Sequence, residues 1–201
     1  MQIEIKDNLS FFKHLLLDFL AEAFHYPYRL RDIQDLKERA NKVENLISTF
    51  CDENTTKKFE ELKKFIDSVN NIDKLTEIEV QFVELDKPYN LHLSLYESIN
   101  RQGYYDLVIA SEIRSIYNKL GVDPKEEADL LPVELGFLSF LYFNKAIGNN
   151  QVNEVLEYFT ENHIDNWVPV LAENLKKSNL SYFTILGDFL FEALKCIKKE
   201  V

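Results

Sequence analysis

Apolar residues return at spacings of three and four along almost the whole chain, and this periodicity restricts it to helices. Residues 9–25 place Phe12, Leu15, Leu16, Phe19, Leu20, Ala23 and Phe24 on one face, behind Asn8 and Ser10 as candidate caps. Residues 30–50 repeat the pattern through Leu30, Ile33, Leu36, Ala40, Val43, Leu46, Ile47 and Phe50. Asn54 or Thr55 can cap a third helix bearing Phe59, Leu62, Phe65, Ile66 and Val69, and a fourth runs from about residue 74 to 85 through Leu75, Ile78, Phe82 and Leu85. Residues 105–120 are expected to turn Leu107, Val108, Ile109, Ile113, Ile116, Tyr117 and Leu120 inward, with Gly121 as the stop. Pro132 suits the first position of a helix. The stretch 132–147 that it opens is apolar on nearly every side, which places it in the middle of a bundle. Residues 151–163, 166–176 and 180–199 supply three more helices. No pair of strands with a hairpin turn is present, nor a repeat of fixed period. The expectation is an all-α single domain of about eight or nine helices over residues 1–201, broken at 86–98 and again at 121–130.

Charge and composition narrow what such a bundle can do. With 23 basic and 34 acidic residues the net charge is −11, which opposes unspecific binding to nucleic acid and favours a cationic partner. Cys51 and Cys196 lie far apart and form no CxxC or zinc spacing, so they read as two structural or free thiols in a reducing compartment. Lys13, His14, Asp18 and Glu22 interrupt the N-terminal apolar stretch, which is therefore not expected to act as a leader. The longest uninterrupted apolar run, residues 135–143, is about half of what a membrane span needs. The reading is a cytoplasmic protein without stable membrane insertion.

Signatures of catalysis are missing. No GxGxxG, GxxxxGK[ST], HExxH or GxSxG occurs. His14, His25, His92 and His163 have no metal-ligand spacing, and the carboxylates alternate with lysines, as in KKFEELKK, the pattern of a solvated helix face. Neither enzyme activity nor a cofactor or metal is expected. The unusual segments are the breaks. Residues 121–135 carry Asp123, Glu126, Glu127, Asp129 and Glu134 against Lys125 alone. Such a loop beside an apolar helix is either a solvated connection or the receiving edge for a peptide with arginines and apolar side chains. HIDNWVPVL (163–171) holds the only tryptophan, Trp167, which reads first as a packed indole with its N–H bonded.

Several segments resemble the TorD/DmsD/NarJ family of redox-enzyme maturation chaperones. EADLLPVELGFLSFL (127–141) is similar to its E-P-D-H-L-P-V-E-L-x-F-L signature, and HIDNWVPVL to its H-L-x-x-W-x-P segment. LSLYES (93–98), EVQFVELD (79–86) and AEAFHYP (21–27) resemble three further stretches, in the family's order. Leu130 stands where the family has histidine, Asp86 where it often has Phe, and Gly136 where it often has Glu. The resemblance implies a hinge at about 86–98 and 121–131 between N-terminal and C-terminal helical groups, in a monomer or a domain-swapped dimer. It also implies a non-catalytic function: binding the N-terminal, twin-arginine type signal peptide of a molybdopterin oxidoreductase subunit and holding it for cofactor insertion before export. The alternatives are an assembly chaperone of the nitrate-reductase type, for a subunit that is not exported, and a small helical enzyme. The peptide-binding residues implied are Leu85, Tyr96, Glu97, Glu126, Glu127, Asp129, Leu130, Pro132, Glu134, His163 and Trp167. For Asp129 a capping role at the start of the central helix competes with pairing to a client arginine.

Overall fold

Four of the α-helices begin where a short polar side chain takes up a free backbone N–H. The computed structural model describes residues 4–199, so the first three residues of the N-terminal stretch discussed above lie outside it. Asp7 accepts from the Ser10 amide at 3.0 Å and opens α1 (Asn8–Phe24), one position before the cap expected at Asn8. Leu30–Phe50 forms α2. Asp52, rather than Asn54 or Thr55, accepts from the Thr55 amide at 2.8 Å and opens α3 (Glu53–Ser68). Asn71 does the same for α4 (Ile72–Leu85). The remaining helices are α5 (Glu97–Gln102), α6 (Leu107–Lys119), α7 (Leu131–Ala146), α8 (Asn153–Phe159), α9 (Val168–Lys176) and α10 (Ser181–Lys198). A π-turn over Thr160–Ile164 follows α8. No strand occurs among the described residues, so the all-α expectation holds.

The helix α7 is central, as its apolar circumference requires: Leu131, Leu135, Phe137, Leu138, Leu141 and Ala146 are all buried. It lies along α1, while α10 lies on α9 and α3, so the two ends of the chain interleave in one core. Two aromatic clusters mark that core. Phe19, Phe59 and Phe189 join α1, α3 and α10 with ring centroids 5.5–6.1 Å apart. Tyr117, Phe137 and Phe159 join α6, α7 and α8 at 4.4–5.8 Å.

Two sequence expectations need correction. Cys51 and Cys196 are not separate thiols: their Cα atoms are 5.4 Å apart and they form a disulfide that ties the end of α2 to α10. Periodicity cannot find such a pair, because 145 residues of chain separate it. Leu107 and Val108 do not point inward but are 70% and 75% exposed. The buried face of α6 is Ile109, Ala110, Ile113, Ile116 and Tyr117; Val108 shares the opposite face with Ser111, Glu112 and Ser115, one turn and two turns further on. The break expected at 86–98 holds two short elements. Pro88–Leu93 is a 3-10 turn, and α5 starts at Glu97.

The two broken segments cross each other. The Glu97 amide donates to the Asp129 carbonyl at 2.8 Å, and the Leu131 amide donates to the Leu95 carbonyl at 2.8 Å. Tyr96 and Leu130 thus face each other as an isolated antiparallel bridge. The Tyr117 hydroxyl donates to the Ala128 carbonyl at 2.9 Å and fixes the crossing to α6.

Candidate functional site

The crossing presents two faces. Successive residues in an extended segment point in opposite directions. Tyr96 and Leu130 therefore turn outward, and their neighbours Glu97 and Asp129 turn inward.

On the outer side lies a groove of about 200 Å³. Leu85 and Asp86 reach it from the end of α4, Tyr96 and Leu130 from the crossing, Pro132 from the start of α7, and Glu126 from the acidic loop. Its opposite wall is Phe24, the last residue of α1, and His25, Tyr26 and Tyr28 just beyond it, with the Tyr26 ring 4.7 Å from Tyr28 and 5.5 Å from Phe82. A second cavity of about 320 Å³ shares His25, Tyr26 and Tyr28 and adds Glu22, Asp32 and Ile33, so the groove continues past the tyrosine pair. The floor is apolar and the charged rim is acidic. Glu22 is paired with Arg39 at 3.5 Å. Among the ion pairs of the described residues, no lysine or arginine holds Asp86 or Glu126; Glu126 has only the His25 imidazole, at 3.7 Å. Partial burial raises the Asp86 carboxyl above its ordinary range.

On the inner side lies a knot of buried polar groups. Glu97 is fully buried and is paired with Arg101 one turn along α5, the spacing at which helix side chains meet. Its other partner is His163 on the π-turn, whose Nδ1 sits 3.1 Å from Oε2. The Trp167 indole N–H donates to the His163 carbonyl, and Trp167 is 2% exposed, so the packed indole expected from sequence is what the structure holds. Asp129 accepts from the Ser98 amide at 3.3 Å and the Ser98 hydroxyl at 2.6 Å. Its carboxylate thus caps α5 across the crossing instead of the central helix α7. Glu134, one turn into α7, is fully buried, and neither of its carboxyl oxygens has a hydrogen-bond partner. Asp129 Oδ1 and His163 Nε2 are unpartnered as well. Burial, reinforced by the neighbouring Glu97 carboxylate, drives the Glu134 carboxyl well above the usual range. Burial also raises Asp129, against the pull of the Ser98 bonds.

The residues expected from sequence therefore separate into two sets. Leu85, Tyr96, Glu126, Leu130 and Pro132 converge on the groove. Glu97, Asp129, Glu134, His163 and Trp167 lie behind its wall, at 0–2% exposure. Glu127 stands exposed beside the groove and accepts from the Tyr105 hydroxyl at 3.0 Å. Sequence reasoning missed Arg101, although its position four residues after Glu97 was a usable signal. It also missed Ser98 and Tyr117 as partners of the crossing, for which no local pattern exists. Among the described residues, no group of three or more His, Cys, Asp or Glu could hold a metal ion, and no helix is long and apolar enough to cross a membrane.

The described residues thus form an all-helical body with an acid-rimmed groove on one side of the crossing and a buried polar knot behind it. Residues 50–173, more than half of the chain, match the family described as nitrate reductase delta subunit. The chain belongs to this family, the NarJ/TorD type of redox-enzyme maturation chaperone. No curated protein and no solved structure gives a significant match.

Proposed function

We propose that this protein is a molybdoenzyme assembly chaperone that binds the cationic N-terminal segment of a molybdopterin-dependent oxidoreductase subunit in the groove beside Tyr26. In this reading it works without catalysis, in the cytoplasm, and holds a twin-arginine type leader until cofactor insertion and assembly are complete. One observation carries the reading: four separate stretches of chain converge on a single apolar groove whose two carboxylates, Asp86 and Glu126, have no lysine or arginine partner among the described ion pairs. Arginine side chains would pair with those carboxylates, and the apolar residues beside them would enter between Tyr26, Phe82 and Leu130. Leu85, Tyr96, Glu126, Leu130 and Pro132 act as contact residues. Glu97, Asp129, Glu134, His163 and Trp167 support the wall from behind, and Glu127 belongs to the rim.

The test is a binding titration with a synthetic peptide containing two arginines, against the same peptide with both changed to glutamine. Glu126→Gln is expected to weaken the arginine peptide about tenfold, the order of one charge-assisted hydrogen bond, and to reduce the salt dependence of binding. Equal affinity for both peptides, or an unchanged Glu126→Gln variant, would overturn the reading. A second reading is favoured by the description of the matched family: the client is then a nitrate-reductase-type subunit that is not exported. Such a client would bind through an N-terminus without an arginine pair, and the glutamine peptide would bind equally well.

A further inference from the structure

The α5–α6 connection carries the densest exposed apolar surface of the described residues. Tyr104 is 61% exposed, Tyr105 38%, Leu107 70% and Val108 75%, all within five positions. Large apolar side chains exposed singly are ordinary, but four together in one short segment mark an interaction surface. The fold exposes them actively. The Asp106 carboxylate accepts from the Val108 amide at 2.8 Å and starts α6 there, and the inward face is then filled by Ile109, Ala110 and Ile113. Leu107 and Val108 are left on the outside.

The patch is continuous with the groove. The Tyr105 ring meets the Tyr96 ring edge to face at 5.8 Å, and Tyr96 lines the groove on its other side. The Tyr105 hydroxyl is held by Glu127 at 3.0 Å, which fixes the ring in the path between the two surfaces. The charges around the patch match those of the groove: Asp106, Glu112 and Glu127 are acidic, and Arg114 is already tied to Asp123 and to the carbonyls of Pro124 and Glu126.

We infer that Tyr104, Leu107 and Val108 form a second docking surface, which receives the apolar stretch that continues beyond the groove-bound residues of the same client peptide. This rests on the groove reading above and extends it. An acidic groove leading over an aromatic step to an exposed apolar patch complements a segment that is basic at one end and apolar at the other. A second copy of this chain fits the surface less well, because the −11 net charge and the acidic surround repel a like molecule.

The experiment uses two fluorescein-labelled probes: a short peptide of two arginines and two leucines, and the same peptide extended by ten alternating leucines and alanines. The long peptide is expected to bind wild-type protein at least tenfold more tightly than the short one. Leu107→Ser combined with Val108→Ser should abolish that advantage and leave short-peptide affinity unchanged. Since both side chains are mostly exposed, the thermal midpoint of this variant should match that of wild type. If the short peptide binds but extension adds nothing, or if the advantage survives the double substitution, this inference is overturned while the groove reading stands. If neither peptide binds, both readings fall. Concentration-dependent dimerisation of the wild type in sedimentation, lost in the double variant, would assign the patch to a second copy instead and also overturn the inference.

Discussion

Glu134 is the residue whose position is hardest to account for by stability alone. A buried carboxyl with no hydrogen-bond partner is expensive when charged, so burial shifts its equilibrium toward the neutral, protonated form. The folded state therefore binds a proton that the unfolded chain gives up near the ordinary carboxyl value. Where the folded protein binds more protons, stability falls as pH rises. The contribution of Glu134 is thus fully present below about pH 4.5 and is lost as pH climbs through its raised folded-state value. Glu134→Gln, which copies the neutral acid, should remove this slope. Urea unfolding of wild type and variant between pH 5 and pH 9 measures it, and parallel profiles would show that Glu134 titrates normally. Asp7, Asp52 and Asp188, whose carboxyls lie below their usual range, act in the opposite sense at acid pH but cancel in the comparison. Trp167 is the second telling residue. With its ring 2% exposed and its N–H bonded, Trp167→Ala should cost about 3–5 kcal/mol in the same assay. A change below 1 kcal/mol, coupled with loss of peptide binding, would make it a contact residue.

Among the elements, α9 and α10 approach each other closely. Gly187 on α10 has no room for a side chain: a Cβ there would lie 2.6 Å from Leu175 Cβ and 2.8 Å from the Lys176 backbone nitrogen. Gly187→Ala must push α10 away from α9, at a cost of about 1–3 kcal/mol, although alanine is the better helix former. A variant as stable as wild type in thermal unfolding would mean that the helices separate freely. The same element scale explains the groove wall. Two backbone bonds and one side-chain cap hold the 95–98 segment to the 129–131 segment, and the Asp129–Ser98 bonds set where α5 begins. A change at Asp129 therefore reaches Tyr96 and the groove through the backbone.

For the whole molecule, the disulfide decides how the ends of the core are joined. It links the α2–α3 corner to the last turns of α10, fastening two segments 145 residues apart in the chain. Cys51→Ser with Cys196→Ser should lower stability by about 2–4 kcal/mol in denaturant unfolding. Since neither cysteine lines the groove, peptide affinity should not change. A bond of this kind meets a reducing environment in the cytoplasm proposed for the protein. Identical unfolding of wild type with and without dithiothreitol would show that the linkage is not part of the working fold.

The helical class, the central place of residues 132–147 and the burial of Trp167 were legible in the sequence, because all three follow from local periodicity and residue chemistry. So were the positions of the two breaks, where proline, asparagine and clustered acids interrupt the pattern. What the breaks do was not legible. Their crossing is made by backbone bonds between residues more than thirty positions apart, and backbone groups leave no mark in a sequence. The crossing also decided the candidate site: it turned Tyr96 and Leu130 toward the groove and Glu97 and Asp129 away from it, although each pair is adjacent in the chain. In the same way, Leu107 and Val108 have the composition of a core, and only the phase in which α6 packs on its neighbours put them outside. Amino-acid type determined which residues could be buried; the packing of distant segments decided which of them were.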